Sequence, residues 1–200
     1  MAEPTPRIVT VPLALWAATA VVAGGLGWLA GLRPPAPQLV LVTLTVGLLL
    51  LGRFVPVYRD WLGRVDPRVL VALHVTRFIG IYFLVLAGRG ELPRAFAVPG
   101  GWGDIVVAAG AATLLVVGAP STAGLTRWYR WWNVVGLVDI LFVVATAARL
   151  ALADPASMAA LLRLPLSILV TFLVPLIIAS HLWLFGRLRG APPPAGSGVP

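Results

Sequence analysis

Long apolar runs broken by short segments rich in proline, glycine and arginine make up most of this chain. A run of about 17 to 25 mostly apolar residues is what an α-helix needs to cross a bilayer core. Six such runs occupy residues 8–32, 38–57, 67–88, 102–119, 128–151 and 164–186. The pattern predicts an all-α polytopic membrane protein, with residues 1–186 forming one six-transmembrane-helix bundle. Residues 187–200, ending in APPPAGSGVP, have too little apolar content to fold and read as a disordered cytoplasmic tail. The breaks carry boundary chemistry. Asp66-Pro67 and Asp154-Pro155 each place a capping side chain before a proline at the first helical position. Gly31, Pro34, Pro35 and Pro37 separate the first run from the second.

Composition agrees with a bilayer as the solvent. The chain is 60% hydrophobic and 11% charged with mean hydropathy +0.96, whereas about a quarter of the residues of a soluble domain are charged. Net charge is +8. The arginines that produce it lie between the apolar runs instead of forming a stripe, which argues against nucleic-acid binding. With the N-terminus inside, nine arginines fall in cytoplasmic segments and five outside, so the positive-inside rule places both termini in the cytoplasm. Ala18-Thr19-Ala20 resembles a signal-peptidase site, yet the apolar run continues to Leu32, too long for a signal peptide, and reads as an uncleaved helix. The chain has no cysteine, so disulfides and thiolate chemistry are excluded. Trp128, Tyr129, Trp131 and Trp132, interleaved with Arg127 and Arg130, read as an interfacial aromatic belt. Gly27 and Gly31 have the spacing of a small-residue packing face, internal or between copies.

Against this background a few polar residues stand out, because an ionisable side chain inside a bilayer costs several kcal/mol and faces the bundle interior with a partner. Arg77 lies about 16 Å along its helix from Asp66, near the membrane centre. Asp139 lies at a similar depth from the Trp128 end of the fifth run and is its expected counter-charge. His74, Asn133 and His181 fall on three different helices at one shallower depth and suggest a shared pocket. Pro175, before His181, is expected to free backbone carbonyls toward that pocket. The segment ELPRAFAVPGGWGDI, residues 91–105, reads as a loop dipping back into the bundle, which would place Asp104 just inside the outer leaflet beside Arg89 or Arg94.

These residues support several functions. The leading one is a substrate-binding site for a small molecule or ion, built by Arg77, Asn133, Asp139, His181 and Asp104, serving transport or permeation. Arg77 would hold an anionic group or set the local potential, and Asp139 would balance it or carry a proton. An intramembrane enzyme acting on a lipid or hydrophobic metabolite would use Asp139 or Asp104 as acid or base, with Arg77 as an anion clamp. A redox subunit would bind haem b through His74 and His181. A non-catalytic assembly subunit of a membrane complex, or a homo-oligomer, would use the charges structurally. No set of ligands at one depth suits a metal ion. Nucleophile-elbow, phosphate-loop and HExxH motifs are absent from the sequence, and Ser180 and His181, being adjacent on a helix, point in different directions.

Residues 70–187 resemble an uncharacterised family of small bacterial integral membrane proteins. The likeness rests on Arg77, on Leu92-Pro93 with the glycine-rich approach to Asp104, on Trp132-Asn133 with Gly136, and on Pro175 followed by Ser180-His181-Leu182. It implies a multi-pass protein of the bacterial inner membrane whose recurring polar residues are Arg77, Asp104, Asn133 and His181, and it carries no activity. His74 lies outside the pattern, and Phe78-Ile79 stands where similar proteins have a Val-Glu pair.

Overall fold

The computed structural model describes residues 5–189, and the chain runs through it in order as α1 (Arg7–Gly25), α2 (Ala36–Phe54), a short α3 (Pro56–Arg64), α4 (Pro67–Gly88), α5 (Arg94–Val117), α6 (Ala123–Ala153) and α7 (Leu169–Arg189). All but α3 are long and apolar enough to cross a membrane, which makes this a multi-pass membrane protein. Large apolar side chains such as Leu15, Leu39, Val106, Val138 and Leu152 stand exposed around the bundle. An apolar surface of that extent marks a lipid-facing belt. Of the tail expected to be disordered, residues 187–189 complete α7, and 190–200 lie outside the described residues.

Several boundaries differ from the sequence expectation for identifiable reasons. α1 stops at Gly25 because Gly27 adopts φ +70°, its N–H bonding the carbonyl of Gly24 and that of Trp28 the carbonyl of Ala23. This is the Schellman ending that glycine favours, so Gly27 ends the helix, Gly31 lies in the turn beyond it, and the two do not form a packing face along a helix. The 91–105 segment is not a re-entrant loop. Pro93, at φ −60°, leads directly into α5 at Arg94, and Pro99 is carried inside the helix. Asp154 caps a separate 3-10 turn, Pro155–Leu162, rather than the last membrane helix. Asp66 caps α4 as expected, its carboxylate accepting from the Arg68 backbone N–H at 2.8 Å.

Helices α4 to α7 form the core, with α5 packed between α4 and α6, and α7 against α6 and the start of α4. α2 lies along α7 and stands off α4, and α1 meets the bundle mainly at Leu169–Leu173. Half of the apolar window of α7 is buried, compared with 17% for α1 and 11% for α2. The α1 contact has a backbone cause. Pro175 has no N–H to give the Thr171 carbonyl, and Trp16 Nε1 donates to that carbonyl instead at 2.9 Å. The freed carbonyl therefore clamps α1 and does not face the histidines.

One end of the bundle is tied by Tyr58 donating to the Ile8 carbonyl, Arg187 to the Val65 carbonyl, and Arg130 Nε to the Leu188 carbonyl at 3.1 Å. This is the near end below; the loops 26–35 and 89–93 mark the far end. Two cavities occupy the space between α2 and the core. A far-end cavity of about 440 Å³ has mostly aliphatic walls and includes Gln38, Thr76, Arg77 and Asp104. A near-end cavity of about 490 Å³ is walled by residues of α1 to α4 and α7, including Tyr58, Leu73 and Ser180.

Candidate functional site

The geometry of α4 organises the site. Leu73–Ile79 winds as a 3-10 helix inside the longer span. In a 3-10 helix side chains at i and i+3 eclipse, and a stretch in mid-helix often marks a functional position. His74, Arg77 and Gly80 are therefore aligned along one edge. A Cβ at Gly101 would lie 2.7 Å from the Gly80 carbonyl, so these two glycines let α4 and α5 approach backbone to backbone. That crossing brings Asp104 to Arg77.

Arg77 is 1% exposed, and all three guanidinium nitrogens donate. Nε gives to Asp104 Oδ1 at 2.6 Å, Nη1 to the Gly136 carbonyl at 3.0 Å, and Nη2 to Asp139 Oδ2. The Arg77–Asp139 pairing expected from matched depth is present. Asp104 pairs with Arg77, and not with Arg89 or Arg94. Because α5 begins at Arg94, ten residues earlier, Asp104 sits about 15 Å along it, in mid-membrane. A Cβ at Gly103 would overlap the Asp139 carboxylate, so this glycine makes room for the second acid. One cation faces two carboxylates here, a formal excess of one negative charge. Each nitrogen of Arg77 has a protein acceptor, and three of its five N–H donors are committed to Asp104, Asp139 and the Gly136 carbonyl.

The histidine layer lies directly beside this one. His74 and His181 are 1% and 0% exposed, with ring centroids 4.1 Å apart. Asn133 Nδ2 donates to the His181 carbonyl at 3.0 Å, which orients the amide so that its Oδ1 accepts from His181 Nδ1 at 2.8 Å. An amide oxygen only accepts, so the proton of His181 is on Nδ1 and Nε2 presents a lone pair. Ser180 donates its hydroxyl to the Ile177 carbonyl at 2.8 Å and accepts from His74 Nε2 at 3.0 Å, so His74 carries its proton on Nε2. The remaining nitrogens, His74 Nδ1 and His181 Nε2, are buried and have no hydrogen-bond partner among the described residues. The two layers meet at Gly136, whose carbonyl accepts from Arg77 and where a Cβ would lie 2.9 Å from His181 Nε2.

His74, Arg77, Asp104, Asn133, Asp139 and His181 thus converge on one centre. Haem does not fit it. Two axial imidazoles, each bonded at about 2 Å, hold their ring centroids roughly 6 Å apart with the porphyrin between them. The histidine rings here are tilted directly against each other at 4.1 Å, with Trp132 packed on both.

Sequence reasoning missed Trp132, Ser180 and Gln38. Trp132 donates Nε1 to the Val107 carbonyl at 3.0 Å, and Tyr129 is fully buried with its hydroxyl on the Gly118 carbonyl, whereas Trp128 and Trp131 are 69% and 65% exposed. The expected belt therefore consists of Trp128 and Trp131, while the i, i+3, i+4 spacing of Tyr129, Trp132 and Asn133 puts those three on the inward face of the helix. Ser180 serves His74 on another helix rather than His181 beside it. Gln38 leaves Oε1 buried and unbonded at the far-end cavity. Its place in a proline-rich segment was a readable signal.

Comparison with curated proteins finds no match, and comparison with solved structures finds none either. A family model does match, over residues 34–189, a stretch that excludes α1 and takes in α2 and every residue of the buried centre. By that match the chain belongs to the family described as Domain of unknown function (DUF8737).

Proposed function

We propose that the protein is a transport or permeation protein of the bacterial inner membrane, with both termini cytoplasmic, whose buried centre binds a small molecule or ion. The excess of arginines in the segments flanking that orientation supports the topology, and the family resemblance supports the bacterial membrane. The observation that carries the binding reading is the buried Arg77 held between Asp104 and Asp139 at the inner end of an aliphatic cavity of about 440 Å³. Intramembrane charges of this kind mark substrate and ion pathways. The cavity suits an apolar body, and the unspent acceptors around Arg77 suit a head group that is cationic or rich in hydrogen-bond donors.

Hexylammonium and hexanoate share a tail and differ in head charge, so they test this reading with the protein in lipid nanodiscs. Hexylammonium is expected to raise the unfolding temperature, because a ligand of the folded state stabilises it, and Asp104→Asn is expected to remove the rise. Equal or greater stabilisation by hexanoate would refute the reading. The far-end cavity also supports a second reading, an enzyme acting on a lipid or hydrophobic metabolite, since a carboxylate in an aliphatic wall can serve as acid or base. Turnover of a lipid extract that is lost in Asp139→Asn would favour it.

A further inference from the structure

Two cavities enter this bundle from opposite ends, and what separates them is not uniformly apolar. Asp104 and Arg77 are in the wall of the far-end cavity, and Ser180 is in the wall of the near-end cavity. Between them lie the two histidines. The groups around the rings are Arg77 on α4, Asp104 on α5, Trp132, Asn133 and Asp139 on α6, and Ser180 on α7. Only Arg77 among these is a fixed cation, and it is engaged by the carboxylates. Each ring keeps one bare nitrogen in a buried setting, on opposite ring positions: Nδ1 of His74 and Nε2 of His181. Such a lone pair, without a donor, is normally an exception in a folded interior. Two of them, on rings in contact beside the layer in which Arg77 holds two carboxylates, are acceptors open to a proton.

We propose that His74 and His181 form a proton relay joining Asp104, at the far-end cavity, and Asp139 beside it to Ser180 at the near-end cavity. A proton leaves a carboxyl group of the Arg77 cluster for the Nε2 lone pair of His181 and then passes to Nδ1 of His74, each transfer carried by a bridging water because neither nitrogen has a direct partner among the described residues. His74 releases the proton on Nε2 to Ser180 Oγ, and the serine hydroxyl proton passes to water in the near-end cavity. One proton enters and one leaves, only N–H and O–H bonds change, and no oxidant or reductant takes part. The fixed hydrogen bond of His181 Nδ1 to Asn133 holds that ring with Nε2 toward Gly136, whose carbonyl accepts from Arg77. The hydrogen bond of His74 to Ser180 gives the second ring its exit. Arg77 has a positioning role, holding both carboxylates at the entrance.

The inference rests on the same buried centre as the transport reading and can fail separately from it. The test reconstitutes the full chain in liposomes enclosing a pH-sensitive dye, with a potassium gradient and valinomycin as the driving force. Wild-type protein is expected to carry protons above the rate of empty liposomes, and His74→Gln, which keeps hydrogen-bonding capacity without a titratable ring, is expected to lose that flux. Ser180→Ala, at the near-end cavity and outside the binding centre, is expected to lose the flux and keep its stabilisation by hexylammonium, which separates loss of the relay from loss of the site. If His74→Gln does not fold, Ser180→Ala takes its place as the deciding variant, since it removes only the exit hydroxyl. Absence of flux in the wild type, or undiminished flux in a folded His74→Gln or Ser180→Ala, would overturn the relay.

Discussion

Arg77 gives each of its three nitrogens an acceptor, and each carboxylate of its layer receives a donor; in the adjacent layer one nitrogen of each histidine has none. The first layer fixes α4, α5 and α6 to one another. Its worth lies in pairing, because a buried charge costs desolvation that only a well-placed partner repays. The second layer is left open by two bonds that direct the ring protons elsewhere, to Asn133 and Ser180. Its openness is chemical and not spatial, since both rings are almost wholly buried. An ion-paired lock beside acceptors with no donor separates the residues that hold the structure from those that can change state.

The largest effect should come from breaking the lock. Arg77→Gln strands the buried Asp104 and the half-buried Asp139 and is expected to cost about 3–5 kcal/mol, read by detergent-micelle unfolding. Adding Asp104→Asn should recover part of that loss, and simple additivity of the two losses would contradict the pairing. Next come the glycines that make space in each layer. Gly103→Ala, against Asp139, and Gly136→Ala, against His181, should each cost about 1–3 kcal/mol by overpacking. Gly47→Ala, in α2 with nothing within 4 Å of the added carbon, should be neutral or stabilising by up to about 1 kcal/mol. Asn133→Ala removes the acceptor for His181 Nδ1 and should cost about 1–3 kcal/mol, while leaving the Arg77 ion pairs in place.

Asp66 provides a small effect and a control outside both layers. The hydrogen bond from the Arg68 side chain holds its carboxyl below the ordinary value of 3.8. Its stabilisation is therefore fully present above pH 3.8 and is lost as the pH falls through the lower folded value. Asp66→Ala should cost about 1 kcal/mol at neutral pH, as loss of a helix cap does, and the difference from wild type should vanish in acid. A difference that persists in strong acid would show that the cap acts without its charge.

The membrane spans, the Arg77–Asp139 pair and the shared depth of His74, Asn133 and His181 were legible because helical rise converts residue spacing into depth. Asp104 was misplaced because a segment with two prolines and three glycines reads as a loop, while here Pro93 starts the helix and the glycines serve close packing. The inward turn of Tyr129 and Trp132 was hidden because composition does not distinguish the two faces of an aromatic-rich stretch, whereas helical spacing does. The haem reading failed on a distance between helices, which one sequence does not contain. The hydrogen bonds that choose each ring proton depend on Ser180 and Asn133 approaching from other helices, and were invisible for the same reason.

Nitrogen-15 solid-state NMR of histidine-labelled protein in lipid bilayers tests the open layer directly, because the chain has only two histidines. The account predicts two rings of opposite tautomer, one bare at Nδ1 and hydrogen-bonded through Nε2, the other bare at Nε2 and bonded through Nδ1. Two rings of the same tautomer, or both nitrogens of each ring engaged, would contradict it.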